Sequence, residues 1–309
     1  MNGMNRRGFL GMAAATAAAT AVQAECCAAG GACANKKGRI LFGACRGPAD
    51  TALMKQVGYD FFEWNAAGAT MPEKSEAEWA KRRDEILGAA LPLRSCNGFL
   101  PGKFRLTGPN ASWTEALDYA ETVCRRADIL GVKTIVFGSS GARNVPGDLL
   151  AKKKEDRPDT EKGVEQYTEF SRQLCQRIAD CKVVIVIEPL RPNESNIINY
   201  VWQGLQIVED VKSPRLQQLA DIFHMICGRE SACSLIKAGD RLKHCHIAAK
   251  VTRQFPGSND TDFSSYFNAL NKIGYTGGVS CECSWGDKQD LEKNLTIALT
   301  TLKKFAGQA

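Results

Sequence analysis

Residues 183–190 have the sequence VVIVIEPL, in which five consecutive Val and Ile residues are followed by Glu188 and Pro189. A short β-branched run of this kind is typical of a strand that is buried on both faces, as in a parallel sheet. Seven other segments have the same character: 40–45 (ILFGAC), 59–65 (YDFFEWN), 91–97 (LPLRSCN), 133–139 (KTIVFGS), 216–223 (LQQLADIF), 242–249 (LKHCHIAA) and 277–285 (GGVSCECSW). The sequence therefore predicts eight strands.

Amphipathic segments separate these strands, over residues 75–90, 112–131, 160–181, 196–211 and 290–305. The first of them opens with Ser75 followed three residues later by Glu78, which is a capping-box pattern. Strands that alternate with helices predict parallel strands joined by crossover helices. Eight such units fit a (β/α)8 barrel better than an open doubly wound sheet, and no glycine-rich nucleotide-binding motif occurs. We predict an α/β TIM barrel forming a single domain over residues 38–309.

The composition excludes several classes of protein. With 309 residues, 44% hydrophobic and 24% charged, the chain is neither disordered nor collagen-like. The net charge is +6, but the basic residues are scattered along the chain rather than clustered, so we do not expect nucleic acid as a partner. Thirteen cysteines are an odd number, so at least one is unpaired within the chain. Most lie inside predicted elements without CxxC pairs, and we expect them to act as small buried apolar residues.

Residues 5–24, NRRGFLGMAAATAAATAVQA, have the features of an export signal. Arg6 and Arg7 precede Gly-Phe-Leu and an Ala-rich stretch, which is typical of the twin-arginine signals that direct folded proteins across a membrane. We predict a signal over residues 1–24, a flexible linker over 25–37, and a periplasmic location. The alternative is an uncleaved anchor, but the stretch is short and Ala-rich for a span. We therefore expect no stable membrane insertion after cleavage.

In a (β/α)8 barrel the chemistry takes place at the C-terminal ends of the strands. Four consecutive predicted strands carry acids or imidazoles there, namely Glu188, Asp221, His244 with His246, and Glu282. A carboxylate in a barrel wall is costly unless it is paired or binds a cation. Because side chains alternate along a strand, Glu282 faces inward only if Cys281 and Cys283 face the helices. The same alternation places His244 and His246 on one face.

Two Glu, one Asp and one His form an oxygen-rich donor set that suits Mn²⁺, Mg²⁺ or Co²⁺ better than a thiolate-rich zinc site would. His246 lies nearer to the catalytic end, so we predict it as the imidazole ligand and His244 as a hydrogen-bonded core histidine. Each of these residues taken alone is better explained by a buried salt bridge or a helix N-cap. Four such residues at four consecutive strand ends favour one divalent ion, with Mn²⁺ as first choice and Mg²⁺, Co²⁺ and Zn²⁺ as alternatives.

Four segments carry a resemblance to a known family: VIEPLRPNESNIIN (186–199), LADIFHM (219–225), HCHIAAKVTRQFPG (244–257) and SCEC (280–283). They resemble the sugar isomerase/epimerase family with the xylose-isomerase-like barrel, and within it the ketose 3-epimerases and hydroxypyruvate isomerases. The loops 97–109 and 137–147 are similar to that family as well, so the resemblance covers about residues 38–306. It implies metal ligation by Glu188, Asp221, His246 and Glu282. It also implies substrate contacts from Glu194, His224 and Arg253.

These residues predict an enzyme that moves a proton next to a sugar carbonyl. A divalent ion would chelate the carbonyl and a neighbouring hydroxyl oxygen and stabilise the enediolate that forms. Glu188 and Glu282 arrive from different sides, so one can take the proton and the other return it. We predict an isomerase or epimerase acting on a keto-sugar or related carbohydrate, and we leave a homo-oligomer open. Trp64 and Trp285 either pack on the apolar face of the sugar or fill the barrel wall.

Three alternatives stay open at this point. A stabilised enediolate can also expel a hydroxyl or a glycosidic oxygen, which would make the protein a dehydratase or lyase on keto-sugars or keto-glycosides. A sugar-binding protein without turnover would need a vestigial metal site. An endonuclease IV-like nuclease would need a three-metal site rich in histidine, whereas this chain has three histidines in all and no basic groove.

Overall fold

Eight parallel strands pair in sequence order and close into a barrel in the computed structural model, which describes residues 39–150 and 157–309. The strands are β1 (Leu41–Cys45), β2 (Phe61–Asn65), β3 (Leu93–Asn97), β4 (Thr134–Phe137), β5 (Val184–Ile187), β6 (Leu216–Asp221), β7 (Leu242–Ile247) and β8 (Gly278–Cys281). The register pairs His246 of β7 with Asp221 of β6 and with Ser280 of β8. The α/β TIM barrel predicted from the sequence is confirmed. The predicted signal (1–24) and linker (25–37) lie outside the described residues.

Helices follow the strands and cover the outside of the barrel. They are α1 (Thr51–Val57), α2 (Ala66–Thr70), α3 (Glu76–Leu87), α4 (Thr114–Ile129), α5 (Ser140–Arg143), α6 (Thr160–Arg177), α7 (Val201–Val211), α8 (Ile222–Cys227), α9 (Cys233–Ala238), α10 (Ser264–Lys272) and α11 (Leu291–Ala306). The capping box at the start of α3 is confirmed, with Ser75 Oγ accepting from the Glu78 N–H and the Glu78 carboxylate accepting from Ser75 N–H. In the described part of the chain, no helix combines the length and the hydropathy needed to cross a membrane.

Several predicted bounds differ from the observed ones by up to five residues, and capping explains two of these differences. The segment 216–223 stops being a strand at Asp221, because that side chain caps α8 and turns Ile222 and Phe223 into helix. The helix predicted from residue 196 begins only at Val201. The Gln203 side chain accepts from the N–H groups of Asn199 and Tyr200, and so fixes a non-helical approach to α7.

The apolar core has two layers. Val136, Val186 and Leu219 fill the interior of the barrel, whereas the larger cluster lies between the strands and the surrounding helices. Cys245 and Cys281 belong to that outer cluster and Cys283 packs against it, as alternation along the strands predicted. Inside the barrel, near the C-terminal ends of the strands, Glu63, His244 and His246 replace apolar side chains and are at most 1% exposed. The interior of the barrel is therefore polar rather than apolar near the C-terminal ends of the strands.

Candidate metal centre

Asp221 ends β6 and at the same time caps α8. Its Oδ1 accepts hydrogen bonds from the N–H groups of Phe223 at 2.8 Å and His224 at 3.4 Å. These bonds hold the carboxylate in one orientation, as is usual for an aspartate N-cap. The other oxygen, Oδ2, is buried and has no hydrogen-bond partner within residues 39–150 and 157–309. One oxygen of Asp221 is therefore structural, whereas the other lies 3.3 Å from His224 Nε2 and 3.7 Å from Arg253 Nη2 without a hydrogen bond and can bind a ligand.

Glu188 follows β5 and is positioned by the loop after β4. Its backbone carbonyl accepts a hydrogen bond from Nη1 of Arg143 at 2.8 Å, and Arg143 is itself completely buried. Its side chain occupies space that Gly138 leaves open, because a Cβ on Gly138 would lie 2.2 Å from Glu188 Oε2. Both the main chain and the carboxylate of Glu188 thus depend on residues about fifty positions earlier in the sequence.

The substitution Gly138→Ala tests this dependence. The new methyl group would meet the end of a flexible side chain, so we expect the barrel to fold while the Glu188 carboxylate moves by an ångström or more. A displacement of about 1 Å in a reacting group can lower kcat/KM by about 100-fold. The matched control is Gly102→Ala, whose Cβ would lie 3.5 Å from the Gly141 Cα in ordinary contact. Equal activity of the two variants, measured with a substrate of the wild type, would contradict the proposed dependence.

His246 lies at the centre of the polar interior. Its Nδ1 is 3.0 Å from Glu188 Oε1 and 3.5 Å from Glu282 Oε2, while its Nε2 is 2.8 Å from Glu63 Oε1. The imidazole is completely buried. One ring nitrogen therefore faces the carboxylates at the strand ends and the other faces Glu63.

Glu282 follows β8 and faces the same centre as His246. Its Oε1 accepts a hydrogen bond from Nδ2 of Asn97 at 3.3 Å, and its Oε2 accepts one from Nη2 of Arg253 at 2.6 Å. About a quarter of its side chain is exposed, against 7% for Glu188 and 1% for Asp221. Glu282 is thus the member of this group that is most open to an incoming molecule.

The four predicted ligands converge in the structure. One ligand atom from each of Glu188, Asp221, His246 and Glu282 lies within 4.8 Å of every other. Three carboxylates at this separation repel one another, and a cation between them removes the repulsion. The oxygen-rich donor set fits a hard divalent cation, and so does the buried Asp221 Oδ2, which accepts no hydrogen bond in the described part of the chain. The structure therefore provides a candidate metal centre, which we call the four-residue centre.

The electrostatic surroundings push the pKa values of the two glutamates apart. Burial and the neighbouring Glu282 raise the pKa of Glu188, although His246 opposes the shift. Burial would also raise the pKa of Glu282, but His246 and Arg253 outweigh it and lower that pKa to about 2. For His246, burial lowers the pKa, yet the carboxylates of Glu63 and Glu282 raise it well above its usual range. Two carboxyl groups with opposite shifts are the pattern expected of an acid and a base.

A second group of possible ligand atoms comprises Cys45, Glu63 and His246. Burial and the adjacent Glu63 raise the pKa of the Cys45 thiol well above its ordinary value, which disfavours the thiolate at this place. Only the thiolate is a good metal ligand. Both Glu63 oxygens already accept hydrogen bonds from histidines. The four-residue centre is therefore the better candidate.

The three residues predicted to contact the substrate border this centre. Arg253 Nη1 lies 3.3 Å from Glu194 Oε1, and His224 Nε2 lies 3.3 Å from Asp221 Oδ2. Neither ring nitrogen of His224 makes a hydrogen bond within the described residues, although the ring is 3% exposed. Arg253 has a φ of 51°, an uncommon conformation for a residue other than glycine. A buried imidazole that makes no hydrogen bond in the described part of the chain and a strained arginine both favour a ligand at this place.

The two tryptophans considered from the sequence serve as packing residues. Trp285 is 6% exposed and stacks on Phe255, with ring centroids 6.0 Å apart. Arg82 lies over the Trp64 ring at 4.8 Å. Of the two alternatives raised from the sequence, filling the barrel wall is the one that these contacts support.

Sequence reasoning missed Glu63. This residue follows Phe61 and Phe62 near the end of β2 and is 0% exposed. The argument applied to Glu188, that a carboxylate after a buried apolar run needs a partner, applies equally to Glu63 and would have found it. His244 was predicted as a hydrogen-bonded core histidine, and its Nε2 is indeed 2.7 Å from Glu63 Oε2.

Comparison with known proteins places the fold in a family. A model of the family described as xylose isomerase-like TIM barrel matches residues 51–305. The chain belongs to this family. The L-ribulose 3-epimerase of Methylomonas sp. (strain DH-1) is 34% identical over 112 residues, 36% of this chain and 39% of that protein. The ketose 3-epimerase of Arthrobacter globiformis is 27% identical over 157 residues, 50% of this chain and 54% of that protein.

The matches to these two family members span only about half of their lengths or less. Among solved structures of the family fold, D-psicose 3-epimerase with D-tagatose from Clostridium cellulolyticum H10 has a TM-score of 0.72. That match covers 86% of this chain and 99% of the other at 18% identity, so it shows the shared fold. The curated relatives that the chain resembles are thus ketose epimerases.

Proposed function

We propose that this protein is a divalent-metal-dependent epimerase or isomerase that moves a proton next to the carbonyl of a keto-sugar or related carbohydrate. The observation that supports the proposal best is the convergence of Glu188, Asp221, His246 and Glu282, with ligand atoms within 4.8 Å of one another. The resemblance to ketose 3-epimerases in sequence supports the choice of substrate class. Mn²⁺ is our first choice of metal, on the strength of the oxygen-rich donor set.

The four residues of the centre would hold the cation. When bound, a divalent cation would stabilise the negative charge that develops on the oxygens of the sugar during proton transfer. This contribution explains why three carboxylates and one imidazole are brought together in a barrel interior, where they would otherwise repel.

Side chains of the protein would carry out proton transfer and substrate binding. Glu282 is the more exposed of the two glutamates, so it is suited to accept a proton from the sugar carbon, and Glu188 is then suited to return one. His224 and Arg253 can bind oxygens of the substrate, because the imidazole nitrogens make no hydrogen bond with the described residues and the guanidinium lies at the edge of the centre. Glu194 can orient a hydroxyl and already positions Arg253.

Exchange with deuterated water tests the proposal. We expect Mn²⁺-loaded protein, incubated with a panel of free ketoses, keto-glycosides and sugar phosphates, to place deuterium on the carbon next to the carbonyl of its substrate. Protein treated with a chelator is the control and should exchange nothing. The absence of exchange with every compound at full metal occupancy would exclude the proton-transfer mechanism. Loss of water or of an aglycone would instead identify a dehydratase or lyase.

We also propose, from residues 5–24 alone, that the chain is exported by the twin-arginine route to the periplasm. Replacing both Arg6 and Arg7 with lysine should leave the protein in the cytoplasmic fraction of a bacterial host that has this pathway. Immunoblots of cell fractions measure the effect, and the basic pair Lys36 and Lys37, changed to arginine, is the control. Unchanged export of the Arg6 and Arg7 variant would contradict this route.

A further inference from the structure

Glu63 is shared between two histidines at the bottom of the candidate centre. Its Oε1 lies 2.8 Å from His246 Nε2 and its Oε2 lies 2.7 Å from His244 Nε2. The carboxylate is 0% exposed, and these two contacts use one oxygen each. Each oxygen thus lies at hydrogen-bond distance from one ring nitrogen, which is the geometry of a carboxylate that accepts one hydrogen bond from each imidazole.

This arrangement decides which nitrogen of each ring carries a proton. Since an ionised carboxylate has no proton to donate, both Nε2 atoms must be protonated to make these bonds. For His246, Nδ1 is then the one ring nitrogen that can bind a cation, once the proton that it shares with Glu188 Oε1 is released. That atom faces the four-residue centre, 3.0 Å from Glu188 Oε1 and 3.5 Å from Glu282 Oε2. The orientation of the ring and its tautomer thus both depend on one carboxylate outside the four-residue centre.

His244 holds Glu63 from the side away from the centre. Its ring lies edge-on to His246, with centroids 5.3 Å apart, and packs against Phe61. Gly278 leaves the space that the His244 ring needs, because a Cβ there would lie 3.1 Å from His244 Nδ1. His244 reaches the four-residue centre through this ring contact with His246 and through its hydrogen bond to Glu63. Its role is to satisfy the second Glu63 oxygen, which would otherwise be a buried, unpaired charge.

We propose that Glu63 is the positioning residue of the metal centre: by accepting the Nε2–H of His246 while His244 holds its other oxygen, it presents His246 Nδ1 to the cation. The inference rests on the proposed metal-dependent function and deepens it. Removal of a carboxylate that accepts a hydrogen bond from a metal-binding histidine typically lowers metal affinity by about 10-fold to 100-fold.

The substitution Glu63→Gln keeps the shape of the side chain and changes its hydrogen-bonding pattern. A glutamine has one accepting oxygen and one donating amide, so it can accept from only one of the two rings. When its amide faces His246, that ring must accept at Nε2 and carry its proton on Nδ1, which blocks the ligand position. We therefore expect a mixture of His246 tautomers and a loss of about 10-fold to 100-fold in Mn²⁺ affinity.

Two measurements test the inference on the full chain without an added tag. Long-range ¹H–¹⁵N spectra of ¹⁵N-histidine-labelled protein report the tautomer of each ring, and the chain has only three histidines to assign. Mg²⁺ is the diamagnetic probe for these spectra, since zinc would also bind among thirteen cysteines. Mn²⁺ affinity follows from the electron paramagnetic signal of the free ion. In wild-type protein loaded with Mg²⁺, His246 should be protonated at Nε2, and the ¹⁵N resonance of its Nδ1 should be shifted.

The control variant is Glu230→Gln, which alters a carboxylate that accepts from the Val201 N–H and makes no hydrogen bond or ion pair with the four-residue centre. It should keep the wild-type Mn²⁺ affinity and the wild-type histidine spectrum. If Glu63→Gln does not fold, Glu63→Asp is the second variant. It retains the charge but moves the carboxylate away from both rings. It should therefore show the same mixture of His246 tautomers and the same loss of Mn²⁺ affinity, each in smaller degree. A foldable Glu63 variant with a single His246 tautomer and Mn²⁺ affinity within twofold of wild type would overturn the inference. Failure of the wild type itself to bind Mn²⁺ would instead overturn the proposed function.

Discussion

The substitution Glu282→Gln is expected to lower kcat by about 10³-fold while the barrel stays folded, because removal of a positioned acid or base typically costs 10²-fold to 10⁴-fold. Glutamine retains the shape of the side chain but cannot take a proton. Asn97 and Arg253 both donate to Glu282, so the new amide would also face a donor. Steady-state kinetics with the substrate found by deuterium exchange, at saturating Mn²⁺, measures the effect.

The matched control for this variant is Glu76→Gln. Glu76 Oε1 pairs with Nη2 of Arg126 at 2.6 Å, the same distance as in the Glu282–Arg253 pair, but it lies outside the barrel. This variant loses an equivalent arginine contact and should keep wild-type turnover. If Glu282→Gln keeps more than a tenth of the wild-type kcat, Glu282 has no role in proton transfer.

Arg143→Met is expected to lower the free energy of unfolding by about 2 kcal/mol and to weaken the metal centre as well. Arg143 donates to the carbonyls of Phe137, Glu188 and Ile198 from a completely buried position. The Phe137 and Ile198 carbonyls also accept backbone N–H groups, whereas the Glu188 carbonyl has Arg143 as its only donor in the described part of the chain. Leaving one buried acceptor unpaired costs about 1–3 kcal/mol.

Urea denaturation measures the change in stability, and Mn²⁺ titration of the folded variant measures the change in the centre. We expect an affinity loss of about 10-fold, because Glu188 loses the bond that fixes its main chain. Arg105→Met is the control, since Arg105 donates to the carbonyls of Gly102 and Gly141 from an exposed position and should change stability by at most about 0.5 kcal/mol. Equal stability of the Arg143 and Arg105 variants would show that burial of the guanidinium does not matter.

The strand ends could be predicted from the sequence because the period of a strand and the topology of a barrel leave little freedom. Once residues 183–190 and their seven counterparts are assigned as parallel strands of one barrel, their C-terminal ends must meet. Glu188, Asp221 and Glu282 are then neighbours, although up to 94 residues separate Glu188 from Glu282. Alternation along β7 likewise separates inward-facing His244 and His246 from Cys245, which the core cluster confirms.

What only the tertiary structure decided is how these groups are held. No period or motif predicts that Gly138 makes room for the Glu188 carboxylate, or that Arg143 fixes the Glu188 main chain. Likewise, the role of Glu63 depends on a ring nitrogen 2.8 Å away on a strand that lies 183 positions later in the chain. Sequence by itself determined the barrel and the residue types at its catalytic end, since both follow from local periodicity. Distances, tautomers and charge balance needed the folded chain, because they arise between strands that are distant in sequence and meet only when the barrel closes.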